Sequence, residues 1–303
     1  MSIDVDNGPD FGDYKKDFVT SRDGTTIGYR QLGHGPGLIL VHGGMKSSQD
    51  FMKLAASLCD TFTVYLPDRR GRGMSGAHGD HFSVMREVED IEALMAKTGA
   101  CSLFGLSAGG LVVLKAALAN SEVQRIALYE PPLSIKGSAP TGWVSRYERE
   151  LAQGKTAAAV VTALKGIGTE PLFSRLPRFI LVPPMALIMK LQRDPPGDDV
   201  TIRSLIPTMR FDMHIVSEMT DTLQDYRLLR TPILLLGGGK SPSFLKVALD
   251  GLEATLPSVT RKTFPALGHD GPEDDGRPEL IAKELRQFFL ADQHLANSPA
   301  TNV

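Results

Sequence analysis

The sequence predicts an α/β fold in which helices flank a mostly parallel β-sheet and a helical lid is inserted between two of its strands. Three observations support this prediction. Short apolar or β-branched runs alternate with helical stretches along most of the 303 residues, as in a parallel sheet with covering helices. One run leads through a glycine-bounded serine directly into a helical stretch. The interval 134–228 is rich in proline and interrupts the alternation.

The strands can be predicted in chain order. Phe18 to Ser21 and Thr25 to Gln31 predict a hairpin around Arg22-Asp23-Gly24, which gives the sheet an antiparallel start. Six further runs predict strands at 37–41, 62–66, 102–104, 123–129, 233–236 and 259–264. Apolar residues at helical spacing predict covering helices at 84–97 and 278–290. We therefore expect a core formed by residues 1–133 and 229–292, a lid of residues 134–228 and a flexible tail of residues 293–303.

The segment Gly105-Leu106-Ser107-Ala108-Gly109 has the G-x-S-x-G pattern of a nucleophile elbow. Such a sharp strand-to-helix turn exposes the serine oxygen and crowds the main chain, which the small residues on either side relieve. Ser107 is therefore the candidate nucleophile.

A serine hydroxyl needs a base and a site for the developing oxyanion. His269 follows the last predicted strand in the loop Pro265-Ala266-Leu267-Gly268-His269 and is the candidate base. The strand ending at Val41 is followed by His42-Gly43-Gly44-Met45, where small residues let the backbone approach a substrate. We expect the N–H groups of Gly44 and Ala108 to form the oxyanion hole.

These segments, together with Pro67-Asp68-Arg69-Arg70-Gly71-Arg72-Gly73-Met74-Ser75, resemble the successive signatures of the α/β-hydrolase superfamily over roughly residues 18 to 290. The resemblance implies a serine hydrolase with a helical lid. No cluster of metal-ligating residues is visible in the sequence, and we expect no cofactor. It is specific for the fold and weakly informative about the substrate. We expect the three arginines to anchor their own loop, with Asp68 as a partner.

The triad acid departs from the commonest pattern of the superfamily. No carboxylate follows the 233–236 strand in Gly237-Gly238-Gly239-Lys240-Ser241-Pro242, and Asp250 lies far into a predicted helix. Some relatives, including certain dehalogenases and lactone hydrolases, place the acid after the strand that follows the nucleophile helix. Here that position is Glu130, at the carboxyl end of its strand. We therefore favour Glu130 as the acid, with Asp212 as the main alternative.

The lid contains an apolar stretch from Phe179 to Met189 that is too short and too broken by proline to span a membrane. It is predicted to form lid core, to line the substrate pocket or to contact a second copy in a homodimer. As candidate substrate-binding residues we take Met45 of the oxyanion loop and Phe179, Leu181 and Met185 of this stretch.

Composition excludes some classes of function. A net charge of −2 gives no reason to expect a nucleic-acid partner. Cys59 and Cys101 lie in apolar surroundings and are predicted to be buried free thiols. The polar segment Met1 to Asp13 lacks the apolar core of a signal peptide, so we expect a cytoplasmic protein.

The sequence thus predicts a hydrolase that cleaves the carboxylic ester or lactone of a fairly apolar small molecule through an acyl-enzyme. A C–C bond hydrolase, a thioesterase and a cofactor-free perhydrolase need the same triad and stay as alternatives. A serine at the elbow weighs against dehalogenation and epoxide opening, which in relatives use aspartate there. A non-enzymatic small-molecule receptor is a further alternative.

Overall fold

The computed structural model describes residues 14–168, 175–193, 195 and 197–291 of the chain. Its central sheet has eight strands in the spatial order β1-β2-β4-β3-β5-β6-β7-β8. The strands are β1 Lys15–Thr20, β2 Thr26–Gly33, β3 Gly37–Val41, β4 Thr63–Pro67, β5 Ser102–Leu106, β6 Arg125–Tyr129, β7 Ile233–Gly238 and β8 Val259–Phe264. Strand β2 pairs antiparallel with β1 and β4, and all other neighbouring strands are parallel.

The predicted mostly parallel sheet is therefore confirmed. The first strand begins at Lys15 instead of Phe18, because Lys15 and Lys16 pair with Gln31 and Arg30 of β2. An edge strand can carry such charged residues because one of its sides faces solvent.

Helices cover both faces of the sheet. They are α1 Met52–Ala56, α2 Val84–Thr98, α3 Ser107–Ala119, α9 Ser243–Thr255 and α10 Pro278–Leu290. Side chains alternate between the two faces of a strand, so Ile39 and Val41 of β3 pack in one buried cluster and Leu38 and Leu40 in the other. Helices α2, α3 and α9 contribute to the first cluster, and α1 and α10 to the second.

Five helices lie in the described part of the interval between β6 and β7. They are α4 Val144–Ala152, α5 Thr156–Ile167, α6 Arg178–Leu191, α7 Ile202–Leu205 and α8 Met209–Glu218. Their buried side chains form a third apolar cluster, which includes Tyr147, Val160, Ile206 and Met209. We call residues 134–228 the helical insertion.

Within the described ranges, no helix combines the length and apolar character needed to cross a membrane. Cys59 and Cys101 are free thiols of intermediate exposure, so the prediction that they are buried was wrong. Each lies beside an element and not inside it, Cys59 after α1 and Cys101 before β5. The segment Met1 to Asp13 and the predicted tail 293–303 lie outside the described residues.

Candidate active site

The parallel strands bring the predicted site residues to one edge of the sheet. Residues that follow the carboxyl ends of β3, β5 and β8 line a cavity of about 200 Å³, which is where ligands bind in sheets of this kind. Its wall includes Gly44, Ser107, Ala108 and His269. Four candidate residues from three separate segments therefore surround one space.

Ser107 is the first residue of α3 and has a φ of 54°, in the left-handed region that is costly for a non-glycine residue. The flanking glycines make this turn possible. A Cβ atom on Gly105 would lie 2.6 Å from the Gly109 carbonyl oxygen, and one on Gly109 would lie 2.3 Å from the His42 carbonyl oxygen. The G-x-S-x-G pattern is thus required by close packing between β3, β5 and α3.

Glu130 follows β6 and is fully buried. Its Oε2 atom lies 2.7 Å from Nδ1 of His269, and its Oε1 atom accepts a 2.7 Å hydrogen bond from the Gly238 N–H. Because the carboxylate only accepts, the neutral imidazole carries its proton on Nδ1 and has a free lone pair on Nε2. The backbone of Glu130 is left-handed, with a φ of 48°.

A second contact fixes the histidine loop. The Tyr129 hydroxyl donates a 2.7 Å hydrogen bond to the carbonyl of Gly268, the residue before His269. Burial raises the pKa of Tyr129, so this phenol keeps the proton that it donates. Two adjacent residues therefore fix the histidine: Tyr129 holds the backbone before it, and Glu130 holds its ring.

The loop predicted to form part of the oxyanion hole is shaped by small residues. A Cβ atom on Gly43 would lie 3.2 Å from Cβ of Ser107, and one on Gly44 would lie 3.0 Å from Oδ2 of Asp212. Met45 has a φ of 54° and lines the cavity beside Gly44. Ala108 lies in the first turn of α3, where main-chain N–H groups point out of the helix end.

The loop is supported from behind by His42. Its Nε2 atom accepts a 3.1 Å hydrogen bond from the Arg69 N–H, and its Nδ1–H donates to the Gly43 carbonyl at 2.9 Å. Burial, together with the guanidinium groups of Arg72 and Arg69, holds the pKa of His42 well below its usual range. The neutral ring therefore links two backbone segments of the site.

Asp212 also faces the cavity, but it is held by arginines and not by His269. Its carboxylate lies 2.8 Å from Nη1 of Arg69 and 2.7 Å from Nη2 of Arg72, and all three side chains are buried. Burial opposes ionisation, but Arg72 and Arg69 outweigh it and lower the pKa of Asp212. Asp212 thus ties helix α8 to the loop beneath the oxyanion segment.

The prediction that Asp68 pairs with the arginines was wrong. The Asp68 carboxylate accepts backbone hydrogen bonds from Ser48 and Met74, at 2.8 and 2.9 Å. The arginines reach more distant acids instead. Arg69 pairs with Glu87 and Asp212, Arg70 with Asp23 and Asp90, and Arg72 with Asp212.

The helical insertion supplies the apolar wall of the cavity. The contributing side chains are Ala139, Pro140, Trp143, Leu164, Ile167, Met209, Met213 and Val216. Phe179, Leu181 and Met185, which were predicted to bind substrate, are not part of this wall. Phe179 is 77% exposed, Leu181 is buried within the insertion and Met185 packs against its apolar cluster. All three lie on α6, which packs against α5, and α5 is the helix that reaches the cavity.

Sequence reasoning missed a charged group on the opposite wall. Lys46 and Glu273 both line the cavity, and Lys46 Nζ lies 2.6 Å from Glu273 and 3.4 Å from Asp50. The carboxylates outweigh burial and raise the pKa of Lys46. Their positions in the sequence could have indicated them, because Lys46 directly follows Met45 and Glu273 follows His269 by four residues.

The part of the chain that the structure describes contains no group of three or more His, Cys, Asp or Glu side chains arranged to hold a metal ion. The groups at the site are instead a hydroxyl, an imidazole with a carboxylate on its far nitrogen, and main-chain N–H donors. Such a set can transfer a proton away from a hydroxyl that attacks an electrophilic carbon.

Comparison with known proteins agrees with this architecture. A family model described as the alpha/beta hydrolase family matches residues 38–284. A solved alpha/beta hydrolase from Sphaerobacter thermophilus is 28% identical, with a TM-score of 0.72 over 90% of this chain and 100% of that one.

Two curated relatives add information on sequence similarity. The pimeloyl-[acyl-carrier protein] methyl ester esterase of Xanthomonas campestris pv. campestris is 31% identical over 40% of this chain and 46% of its own length. The match therefore spans less than half of that relative. The 3-hydroxybutyrate-oligomer hydrolase of Cupriavidus necator is 25% identical over 83% of this chain and 87% of its own length.

Proposed function

The chain belongs to the alpha/beta hydrolase family, and from that premise we propose that it is a serine hydrolase that cleaves the carboxylic ester or lactone of a fairly apolar small molecule. The observation that carries the proposal is the 2.7 Å contact between Glu130 and His269 at a cavity that Ser107 also lines. A buried carboxylate on Nδ1 leaves Nε2 of the imidazole to act as a base.

In the proposed acylation step, Oγ of Ser107 attacks the carbonyl carbon while its proton passes to Nε2 of His269. Glu130 stabilises the imidazolium that forms. The N–H groups of Gly44 and Ala108 stabilise the negative oxygen of the tetrahedral intermediate. The C–O bond then breaks, the leaving oxygen takes the proton from His269, and the acyl group stays on Ser107.

Deacylation repeats these steps with water as the nucleophile. His269 takes a proton from the water molecule, which attacks the acyl carbon, and then returns the proton to Oγ of Ser107. The products are an acid and an alcohol, or one hydroxy acid when the substrate is a lactone. Neither step requires a redox change or a cofactor.

The walls of the cavity support an apolar substrate. Apolar side chains from the insertion and Ser107 line the same cavity of about 200 Å³. This volume suits a small or medium acyl or ring group. An ester as the scissile bond agrees with the name of the Xanthomonas relative, a methyl ester esterase.

The test is turnover by wild type and by Ser107→Ala on p-nitrophenyl esters of graded chain length, with lactones and thioesters in parallel. We expect kcat of the variant to fall by at least about 10³-fold, because an alanine cannot form the acyl-enzyme. A fluorophosphonate should label wild type and leave Ser107→Ala unlabelled. Near wild-type turnover by the folded variant would overturn the proposal, and a marked preference for thioesters would move the assignment to that class.

A further inference from the structure

Helix α6 has one face that packs within the protein and another that is exposed and apolar. Leu181, Met185 and Met189, spaced by four residues, form the packed face. The opposite face carries the exposed side chains Phe179, Ile180, Pro183, Pro184, Leu187, Ile188 and Leu191. The large ones among them are between 46% and 77% exposed. These positions also repeat at a spacing of four, so they form one continuous stripe.

A helix that is apolar on all sides is ordinarily buried. An exposed apolar surface on the order of several hundred Å² marks an interaction site more often than an ordinary surface. Helix α6 packs against α5, whose Leu164 and Ile167 line the cavity. The exposed face of α6 therefore lies one helix away from the candidate active site.

The charges at the two ends of this face are mainly basic, although Asp194 follows Arg193 directly. Basic residues stand at both ends of the helix, Arg175 and Arg178 before the stripe and Lys190 and Arg193 after it. No acidic residue occurs from 175 to 193. Arg178 pairs with Glu150 of α4, whereas the other three side chains are exposed. A partner that fits must combine an apolar interior with a negatively charged surface.

A second copy of the chain fits this pattern poorly. In a two-fold symmetric contact the same helix faces itself, so the basic ends of one copy would meet the basic ends of the other. An anionic lipid surface has the opposite character, because its acyl region accepts apolar side chains and its headgroups attract cations.

We propose that α6 docks the protein onto an anionic lipid surface, with the helix lying in the plane of the interface. Phe179, Leu187 and Leu191 enter the acyl boundary, while Lys190 and Arg193 remain at the level of the headgroups. This is peripheral binding, and it is independent of the chemistry proposed for Ser107.

The experiment is co-sedimentation of the full chain with two kinds of vesicle, one of pure phosphatidylcholine and one of equal parts phosphatidylcholine and phosphatidylglycerol. We expect binding to the mixed vesicles and at least about tenfold weaker binding to the neutral ones. Leu187→Glu should weaken binding to mixed vesicles by more than about tenfold, since it removes an apolar contact and adds a repelled charge. Leu280→Glu on α10 is the matched control and should bind like wild type, because Leu280 is also exposed but lies outside this face.

A second variant tests the charges. Removing the cations with Lys190→Gln and Arg193→Gln should weaken binding by about fivefold for each charge. Hydrolysis of a soluble short ester should be unchanged in these variants, because neither residue lines the cavity. Absence of wild-type binding to mixed vesicles, or unchanged binding by Leu187→Glu, would overturn the proposal. A dimer in solution that Leu187→Glu dissociates, without vesicle binding, would show that a second copy covers the face instead.

Discussion

The two sides of the cavity are built in different ways. On the sheet side, Ser107 and Glu130 directly follow β5 and β6, and backbone hydrogen bonds between parallel strands set their separation. On the insertion side, Trp143, Met209 and Met213 are placed by side-chain packing between helices. The groups proposed to react therefore lie where hydrogen-bonded strands fix the backbone, whereas the shape of the pocket depends on packing between side chains.

A buried carboxylate near the site can be compared on each side. Glu130 on the sheet side contacts His269, and Asp212 on the insertion side contacts Arg69 and Arg72. The two acids are equally removed from water but face partners of different kinds. We therefore expect Glu130 to act on turnover and Asp212 to act on stability.

The largest expected effect is on turnover. Glu130→Gln should lower kcat by about 10⁴-fold, since an amide cannot hold the same histidine tautomer and stabilise the imidazolium. The measurement is steady-state kinetics on the best ester of the panel, with circular dichroism to check folding. If Glu130→Gln stays active while Asp212→Asn is inactive, the two roles are reversed.

The next effect is on the free energy of unfolding. Asp212→Asn should destabilise the protein by about 3 kcal/mol, because it leaves Arg69 and Arg72 buried with one carboxylate fewer. Urea unfolding measures this change. Asp250→Asn is the matched control: Asp250 pairs with Arg261 at the surface and is expected to contribute no more than about 0.5 kcal/mol. Equal effects of the two variants would contradict the contrast.

A smaller effect concerns substrate choice. A Cβ atom on Gly166 would lie 2.1 Å from Cγ of Trp143, so Gly166→Ala must move the indole that lines the cavity. Trp143→Ala should extend the accepted acyl chain, with each added methylene gaining up to about fourfold in kcat/KM until the pocket fills. Gly166→Ala should change this profile while the acetyl ester is cleaved at a similar rate. If kcat/KM depends on acyl-chain length in the same way in both variants and in wild type, Trp143 does not determine specificity.

Because Trp143 is the single tryptophan of the chain, the same idea has an optical test. Binding of a longer ester to Ser107→Ala should shift the tryptophan emission, and binding of acetate esters should shift it less. An emission spectrum that never responds to ligand would place the occupied region of the cavity elsewhere.

The smallest effect is a pH dependence of stability on the insertion side. His78 stacks on Phe211 of α8 with ring centroids 3.5 Å apart, and burial with the nearby Arg72 lowers the pKa of His78 to about 3. Below about pH 6.5 the unfolded chain binds a proton at this histidine and the folded protein does not, so stability is lost as the pH falls. When the pH is lowered from about 7.5 to about 5.5, the free energy of unfolding should fall by about 1 kcal/mol less in His78→Phe than in wild type. If the free energy of unfolding depends on pH equally in the variant and in wild type, His78 does not contribute to the pH dependence of stability.

Much of the sheet side could be predicted from the sequence. The strand runs and the G-x-S-x-G pattern are local signals in the sequence. The absence of a carboxylate directly after β7 favours Glu130 as the acid. Parallel strands then bring residues distant in sequence to one edge without further information. The placement of Glu130 against His269 follows from that topology.

The insertion side could not be predicted in the same way. Asp212 lies 140 positions after Arg72 in the chain, and the nearer Asp68 offered a misleading local partner. Helix α6 is apolar on every side, so its sequence gives no indication of which face is buried. Packing between helices decides this, and it leaves Phe179 77% exposed while the partly buried Trp143 lines the cavity.

The left-handed backbone at Met45, Ser107 and Glu130 has a consequence for engineering. Glycine adopts this conformation without the cost of about 1–2 kcal/mol that other residues incur. Replacement of Ser107 by glycine would relieve this cost at the turn, but it would also remove the proposed nucleophile. Selection for thermostability should therefore be coupled to a turnover screen, because stability gained at this turn would come at a residue that is proposed to react.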